Sequence, residues 1–429
     1  MISSKFNLQE TVFKLLIFLL PSQLGYHYWL KQSFVYGIRV DYLSLTVYLT
    51  DLLVIAFILL SVYEKISSEG FKKYLKSLFG FVRNHIYYFS LFFVFVFVNV
   101  FFAQNRVVAT FKWIKIIEFI LFGYTVSKYN FKNYKKAFLI PAGLSAILIS
   151  LIAYLQFILQ KTTGLFYWLG ERSFSSNIPG IALTNIGGRQ LMRPYSVFSH
   201  PNSLSGFLLV WLILLINKNE KKSFLEKAAI VLSMLSIIIS TSLAVYITIP
   251  VIILIFIFMN KYKKRHRRLA LAIVSVVVFL SLISLFWFRT VPQGLTGNES
   301  FVKRVELVKA SGELIRRSPL VGVGFNNFIV HLPTTSIRPN VSWWLQPVHN
   351  IYLLVLVESG ILGLAVFSYL TFKALSISVE KKKYHLAVAL TAILLTGLFD
   401  HYWLTLQQNQ LLFGLVLGLN FNITDHNLT

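Results

Sequence analysis

The sequence predicts an all-α polytopic membrane protein with about twelve transmembrane helices and a long, helix-containing outer loop before the tenth. Three observations carry that prediction. Apolar residues make up 56% of the 429 and charged residues only 13%. Runs such as 90–103 (SLFFVFVFVNVFFA) and 228–259 are free of charge, and about 20 apolar residues in a helix match a hydrocarbon core of ~30 Å. These runs do not alternate apolar and polar residues with a period of two, which excludes a transmembrane β-barrel.

The apolar segments fall near residues 12–30, 43–63, 85–103, 107–126, 137–159, 196–216, 228–241, 243–259, 269–288, 349–372, 385–400 and 404–420. The stretch from 228 to 259 is too long for one crossing, so a polar turn at Ser240, Thr241 and Ser242 divides it. The first segment is short before Pro21 and lacks a signal-peptidase pattern, so it reads as a spanning helix and not as a cleaved leader. With no internal repeat and no low-complexity tract, residues 1–429 read as a single integral membrane domain.

The net charge of +25 fits cytoplasmic loops better than nucleic acid, because no soluble basic domain exists to carry a nucleic-acid site. Lys and Arg concentrate where the segment count puts the inside. They include Lys65, Lys72, Lys73, Lys76 and Arg83; Lys128, Lys132, Lys135 and Lys136; Lys218, Lys221, Lys222 and Lys227; residues 261–268 (KYKKRHRR); and Lys373, Lys381, Lys382 and Lys383. The short outer loops are poor in both residues, so the positive-inside rule puts both termini in the cytoplasm. Membrane lipids are the expected surroundings, with anionic head groups attracted to the basic side. The absence of cysteine excludes disulfides, thiolate metal sites and a Cys nucleophile.

Two outer segments are long, about 160–195 and 289–348, and long loops in compact proteins usually carry function. The second predicts a helix from Ser300 to Arg317, with Glu299 suited to its start, Arg316 and Arg317 to its end, and Pro319 closing it. On a wheel of about 100° per residue, Arg304 falls within the apolar arc. A guanidinium there needs an anion: a structural carboxylate, a snorkelling path to water, or an external phosphate. Acidic residues are scarce on this side, which favours the phosphate.

Residues 193–202 (RPYSVFSHPN) open the sixth segment, where Pro194 and Pro201 interrupt the helix at membrane depth. Such breaks persist only where protein or a wet cavity satisfies the freed backbone groups. A capped helix start accounts for Pro201 and for Asn202, but not for Arg193 and His200. Residues 347–363 (PVHNIYLLVLVESGILG) open the tenth segment. There His349, followed by Asn350, is either a structural interfacial imidazole or a base near neutral pH. Glu358 lies about 13 Å deeper and half a turn away, suited to ordering polar groups on another element. Asp51, Glu118 and Asp400 also sit in or near apolar segments and carry no assigned chemistry. The outer loops show no Asp-x-Asp or His/Asp spacing of a metal site, so the expectation is chemistry by cationic side chains, with no metal and no cofactor. Two Arg and one His beside lipid suit transfer from a lipid diphosphate.

RPYSVFSHPN, the run from Arg304 to Phe325 ending SPLVGVGF, HNIYLLVLVESGILG and the terminal DHYWLTLQQNQLLFGLVLGL occur in that order. Together they resemble the O-antigen ligase and polymerase family of bacterial envelope enzymes, over a core region of about 190–370. The resemblance implies a C-type membrane glycosyltransferase (GT-C) in the bacterial inner membrane. It would transfer a glycan from undecaprenyl diphosphate to a lipid or glycan acceptor on the periplasmic side, inverting the anomeric centre without metal. It further implies His349 as base and Arg304 as a diphosphate ligand, with Arg193 and Asn202 at matching polar positions of the sixth helix; Arg193 is expected to join the diphosphate site, with His200, Asn202 and Asn350 as supporting residues. One departure stands out: Leu243 occupies the turn position where the ligases commonly carry Arg. Ligase and polymerase remain alternatives, with a transporter or lipid flippase as a third reading from a different class.

Overall fold

The computed structural model describes residues 7–216, 222–261, 266–287, 299–336 and 345–422. Lys218, Lys221 and residues 262–265 of the predicted basic loops lie outside them, as do residues 288–298 and 337–344 of the long outer loop. The described chain is mostly helical. Its helices are α1 (Leu8–Leu19), α2 (Leu49–Glu69), α3 (Phe71–Asn84), α4 (Ile86–Phe101), α5 (Arg106–Lys128), α6 (Ile140–Leu159), α7 (Pro201–Leu215) and α8 (Phe224–Ser240). They continue with α9 (Leu243–Lys261), α10 (His266–Trp287), α11 (Glu299–Arg317), α12 (Phe328–His331), α13 (Ile351–Glu380), α14 (Tyr384–Thr396), α15 (Tyr402–Thr405) and α16 (Gln407–Phe421).

The expectation of an all-α GT-C-type bundle with about twelve crossings is corrected on two counts. Among the described residues only three helices are long and apolar enough to span a bilayer: Lys135–Leu159, Arg268–Leu285 and Ile351–Glu380. A fourth is added if the bent pair α3 and α4 is one span. The apolar segments are real, but their helices are cut short. α1 stops after 12 residues at the approach to Pro21, α7 begins only at Pro201 and runs 15 residues, and α14 closes after 13 at Gly397. At 1.5 Å per residue such helices reach roughly 18–23 Å, short of ~30 Å. α2 and α5 are long, but α2 carries Asp51, Glu64, Lys65 and Glu69, and α5 carries Arg106, Lys112, Lys115, Glu118 and Lys128. The described residues also form three two-stranded antiparallel sheets in connecting segments. β1 (Gly25–Tyr28) pairs with β4 (Leu45–Tyr48), β2 (Phe34–Val35) with β3 (Ile38–Arg39), and β5 (Leu183–Ile186) with β6 (Arg189–Met192).

Apolar helices gain little from one another by hydrophobic burial in lipid, so close backbone approach and polar contacts hold them together. Gly414 and Gly418 on α16 form a small-xxx-small stripe facing Gly123 of α5. A Cβ on Gly418 would meet the Gly123 carbonyl at 2.5 Å. The Trp211 indole of α7 donates to the Ala142 carbonyl of α6 at 2.9 Å. The capping box Ser223/Glu226 starts α8, and Thr241 in the left-handed region (φ 47) ends it at the predicted polar turn.

One long-range junction sets the geometry of the site. α13 breaks at Gly360 (φ 66, ψ −170), a backbone region open essentially to glycine. The loop after α11 docks into this break. Val323 N donates to the Val357 carbonyl (2.9 Å) and Gly324 N to the Glu358 carbonyl (3.1 Å), while Ile361 N donates to the Pro319 carbonyl (2.9 Å). Asn99 of α4 adds bonds from Nδ2 to the Val321 and Glu358 carbonyls, each 2.8 Å. The Glu358 carboxylate accepts from Phe328 N at 3.3 Å, so Glu358 orders loop backbone, the role its depth suggests. SPLVGVGF thus clamps the helix bearing Arg304 to the helix that follows His349.

Candidate functional site

Four segments deliver the polar groups of the site. The β5–β6 hairpin ends at Met192 and hands over Arg193, whose amide donates to the Ala182 carbonyl at 3.0 Å. The Arg193 guanidinium is fixed on both sides: Nε donates to the Ser240 carbonyl (2.7 Å) and Nη2 to Asn202 Oδ1 (2.7 Å). Asn202 Nδ2 in turn donates to Asp400 Oδ2 (3.1 Å), so Asn202 bridges a cation and an anion. His200 is the N-cap of α7; its Nδ1 accepts from Asn202 N at 3.1 Å. That capping role accounts for its place at the helix break. Leu243, at the position where an arginine is expected from the resemblance, is exposed at the start of α9, and Arg193 reaches the same turn through the Ser240 carbonyl.

The second side is built by the starts of α13 and α15. Asn350 caps α13 by accepting from Tyr352 N and Leu353 N, and its Nδ2 donates to Ser281 Oγ (3.0 Å) and to the Leu398 carbonyl (3.3 Å). Asn350 is therefore a cap that fixes the backbone next to His349. Asp400 and His401 precede α15; the His401 amide donates to Asp400 Oδ1 (2.8 Å), and His401 Nδ1 contacts Thr405 Oγ1 (2.7 Å). This turn is held against α7, where a Cβ on Gly206 would overlap the Tyr402 hydroxyl. The His349 and His401 rings meet edge to face with centroids 5.0 Å apart. One ligand-type atom from each of His349, Asp400 and His401 lies within 4.8 Å of the others. His349 Nδ1 is buried with no hydrogen-bond partner.

Arg304 approaches from α11. Its charge acts on Arg193, His200, His349, Asp400 and His401. Burial pushes the His200 imidazole down to about 4, with Asp400 opposing and Arg193, His401 and Arg304 reinforcing. Burial likewise lowers His349, again against Asp400 and with His401, Arg304 and His200, and it lowers His401. For Asp400, burial works upward, but the surrounding imidazoles and Arg304 outweigh it and hold the carboxyl below its usual range. At neutral pH the site holds an ionised Asp400, neutral imidazoles and two guanidinium groups.

Linear spacing shows none of the link to Asp400 and His401, which lie about fifty residues beyond His349. Arg172, also absent from the sequence reading, donates from Nη2 to the Ser199 carbonyl (2.6 Å) and influences Tyr195 and Tyr42. His349, Asp400 and His401 are the described groups that could hold a metal. Against a dication, both Asp400 oxygens already accept hydrogen bonds, and two guanidinium groups oppose further positive charge.

Residues 228–368, about a third of the chain, match the O-antigen ligase family. The matched stretch includes Arg304 and His349, whereas Arg193, Asn202, Asp400 and His401 lie outside it. No curated protein and no solved structure matches the chain. The family match and the long apolar helices identify a membrane-associated protein that contains an O-antigen ligase (Wzy_C) domain at residues 228–368.

Proposed function

We propose that the chain transfers a glycan from a polyprenyl diphosphate, of the undecaprenyl type, to an acceptor hydroxyl on the outer face of the membrane, with inversion and without a metal. The observation that carries this reading is one neutral histidine, one ionised aspartate and two arginines gathered at the starts of α7, α13 and α15 beside α11. His349 is the base: a lone pair of its imidazole takes the acceptor proton as the hydroxyl oxygen attacks the anomeric carbon. The bond from that carbon to the diphosphate oxygen breaks, and the diphosphate leaves with the electron pair. Arg193 and Arg304 offset its charge, and Asp400 stabilises the imidazolium as it forms.

A soluble carboxylate or phosphate would satisfy the same arginines, but the family match over Arg304 and His349 favours a lipid-linked glycan. The purified protein should release undecaprenyl diphosphate from such a donor and transfer its glycan to a core-type acceptor if it is a ligase. If it is a polymerase, the product is a lengthened lipid-linked glycan. Activity should persist with a chelator present. No transfer to either acceptor, in membranes where a known ligase works, removes the proposal; loss of activity on chelation, restored by zinc, removes the metal-free mechanism.

A further inference from the structure

Helix α3 has no role in the chemistry above and has no buried residue. We propose that it lies within the headgroup layer of an anionic lipid leaflet, with its aromatic face toward the acyl chains and its cations among the lipid phosphates. Its sequence, FKKYLKSLFGFVRN, contains four cations and no acid. At about 100° per residue, Phe71, Leu75, Leu78, Phe79, Phe81 and Val82 occupy an arc of about 160°. Lys72, Lys73, Lys76, Gly80 and Arg83 occupy the opposite side. Phe71, Phe79 and Phe81 are 60%, 70% and 47% exposed, so protein does not cover the apolar face.

The bend at His85 sets the direction of α3 apart from that of α4. α4 carries sixteen residues without a charged side chain (IYYFSLFFVFVFVNVF), and α3 departs from it by 72°. If α4 runs along the bilayer normal, α3 lies close to the membrane plane. Four exposed cations would be costly in hydrocarbon, whereas in the headgroup layer their stems extend beside the aromatic face and their charges reach lipid phosphates. A helix with a wide apolar arc, a cationic opposite face and little net hydrophobicity is the type that binds at such interfaces. Its charge selects an anionic leaflet over a zwitterionic one, by about fivefold per cation close to the surface.

The chain has no cysteine, so single labels are unambiguous. Phe79→Cys marks the apolar face; Gly80→Cys marks the cationic face, where an added Cβ meets no atom within 4 Å. The full-length variants, labelled with an environment-sensitive fluorophore, are reconstituted in phosphatidylcholine vesicles with or without about 30% phosphatidylglycerol. The label at 79 should be quenched by brominated lipid, at least twofold more with phosphatidylglycerol present, and shielded from iodide. The label at 80 should stay open to iodide. Combining Lys72→Gln, Lys73→Gln, Lys76→Gln and Arg83→Gln should abolish the dependence on phosphatidylglycerol. Equal iodide access at 79 and 80 in the anionic vesicles overturns the proposal. Quenching at 79 that ignores phosphatidylglycerol, or a phosphatidylglycerol dependence that survives the fourfold substitution, overturns the selection of anionic lipid.

Discussion

Replacing Asp400 with Asn separates the electrostatic role of this residue from its structural one. The side chain keeps its size and can still accept from one of its two donors, the His401 amide or Asn202 Nδ2. What it loses is a charge whose oxygen lies no more than 4.8 Å from the facing nitrogen of His349. At an effective dielectric of about 20, a full imidazolium at that distance gains about 3.5 kcal/mol from the carboxylate. That is about 2.5 units of basicity, or roughly 300-fold in rate if the proton is fully transferred at the transition state. Partial transfer scales it down, so kcat should fall about 10- to 300-fold. Removing an anion from a diphosphate site should leave the donor KM unchanged or lower it, and should move the acid limb of kcat/KM to lower pH. Steady-state transfer by the purified protein measures all three, with thermal unfolding as the control for folding. A kcat within threefold of wild type at unchanged Tm, or an acid limb displaced upward, refutes the role assigned to Asp400.

Arg304→Gln should raise the donor KM about 10- to 100-fold, the worth of a hydrogen bond to a charged group. It should also shift the acid limb upward, because a cation that lowers His349 is gone; Arg304→Lys should keep the limb and restore only part of the affinity. Gly360→Ala forces a side chain into a glycine-only backbone region and onto the Leu320 carbonyl, which should cost about 3 kcal/mol or more and lower Tm without moving the pH profile. The folded values of His200, His349 and His401 lie below the unfolded value of about 6.5. Their stabilisation is therefore complete above about pH 6.5 and is lost as the pH falls toward the folded values. Unfolding in detergent between pH 7.5 and 5 should show Tm dropping, and His200→Gln should flatten the slope.

The sequence pattern made local features legible and left tertiary ones hidden. The loop helix, Glu299–Arg317, begins one residue before its predicted start because charge bias and Pro319 are local signals. Thr241 ends α8 at the predicted turn. Arg193, Arg304 and His349 were visible as polar groups in apolar surroundings. Helix length was not legible, since hydropathy counts apolar residues without regard to whether Pro201 or Gly397 lets the helix form over all of them. The hairpin β5–β6 carried a readable signal, alternating residues around Gly187–Gly188, within a stretch read only as a loop. Asp400 and His401 were hidden because their link to His349 depends on α13, α14 and α15 meeting, and on Asn350 and Gly397 tying those ends together.

Under the proposed mechanism, the charge balance also gives the reaction an order. With no anion bound, burial, reinforced by His401 and Arg304, holds His349 neutral and weakly basic, and Asp400 offsets only part of that. A diphosphate between Arg193 and Arg304 adds two or more negative charges where the field is now positive. It offsets Arg304, a cation that disfavours a proton on His349, so donor binding itself strengthens the base. An acceptor hydroxyl arriving before the donor meets an imidazole too weak to activate it, which protects the site from premature proton loss. The pKa governing kcat, which reports the donor complex, should therefore lie above the pKa governing kcat/KM for the donor, which reports the free enzyme. In Arg304→Gln the gap should narrow, because part of what the diphosphate neutralises is already absent. Equal pKa values in the two profiles of the wild-type protein, measured with saturating acceptor, would show that the diphosphate does not act on His349 and would separate the arginines from the base.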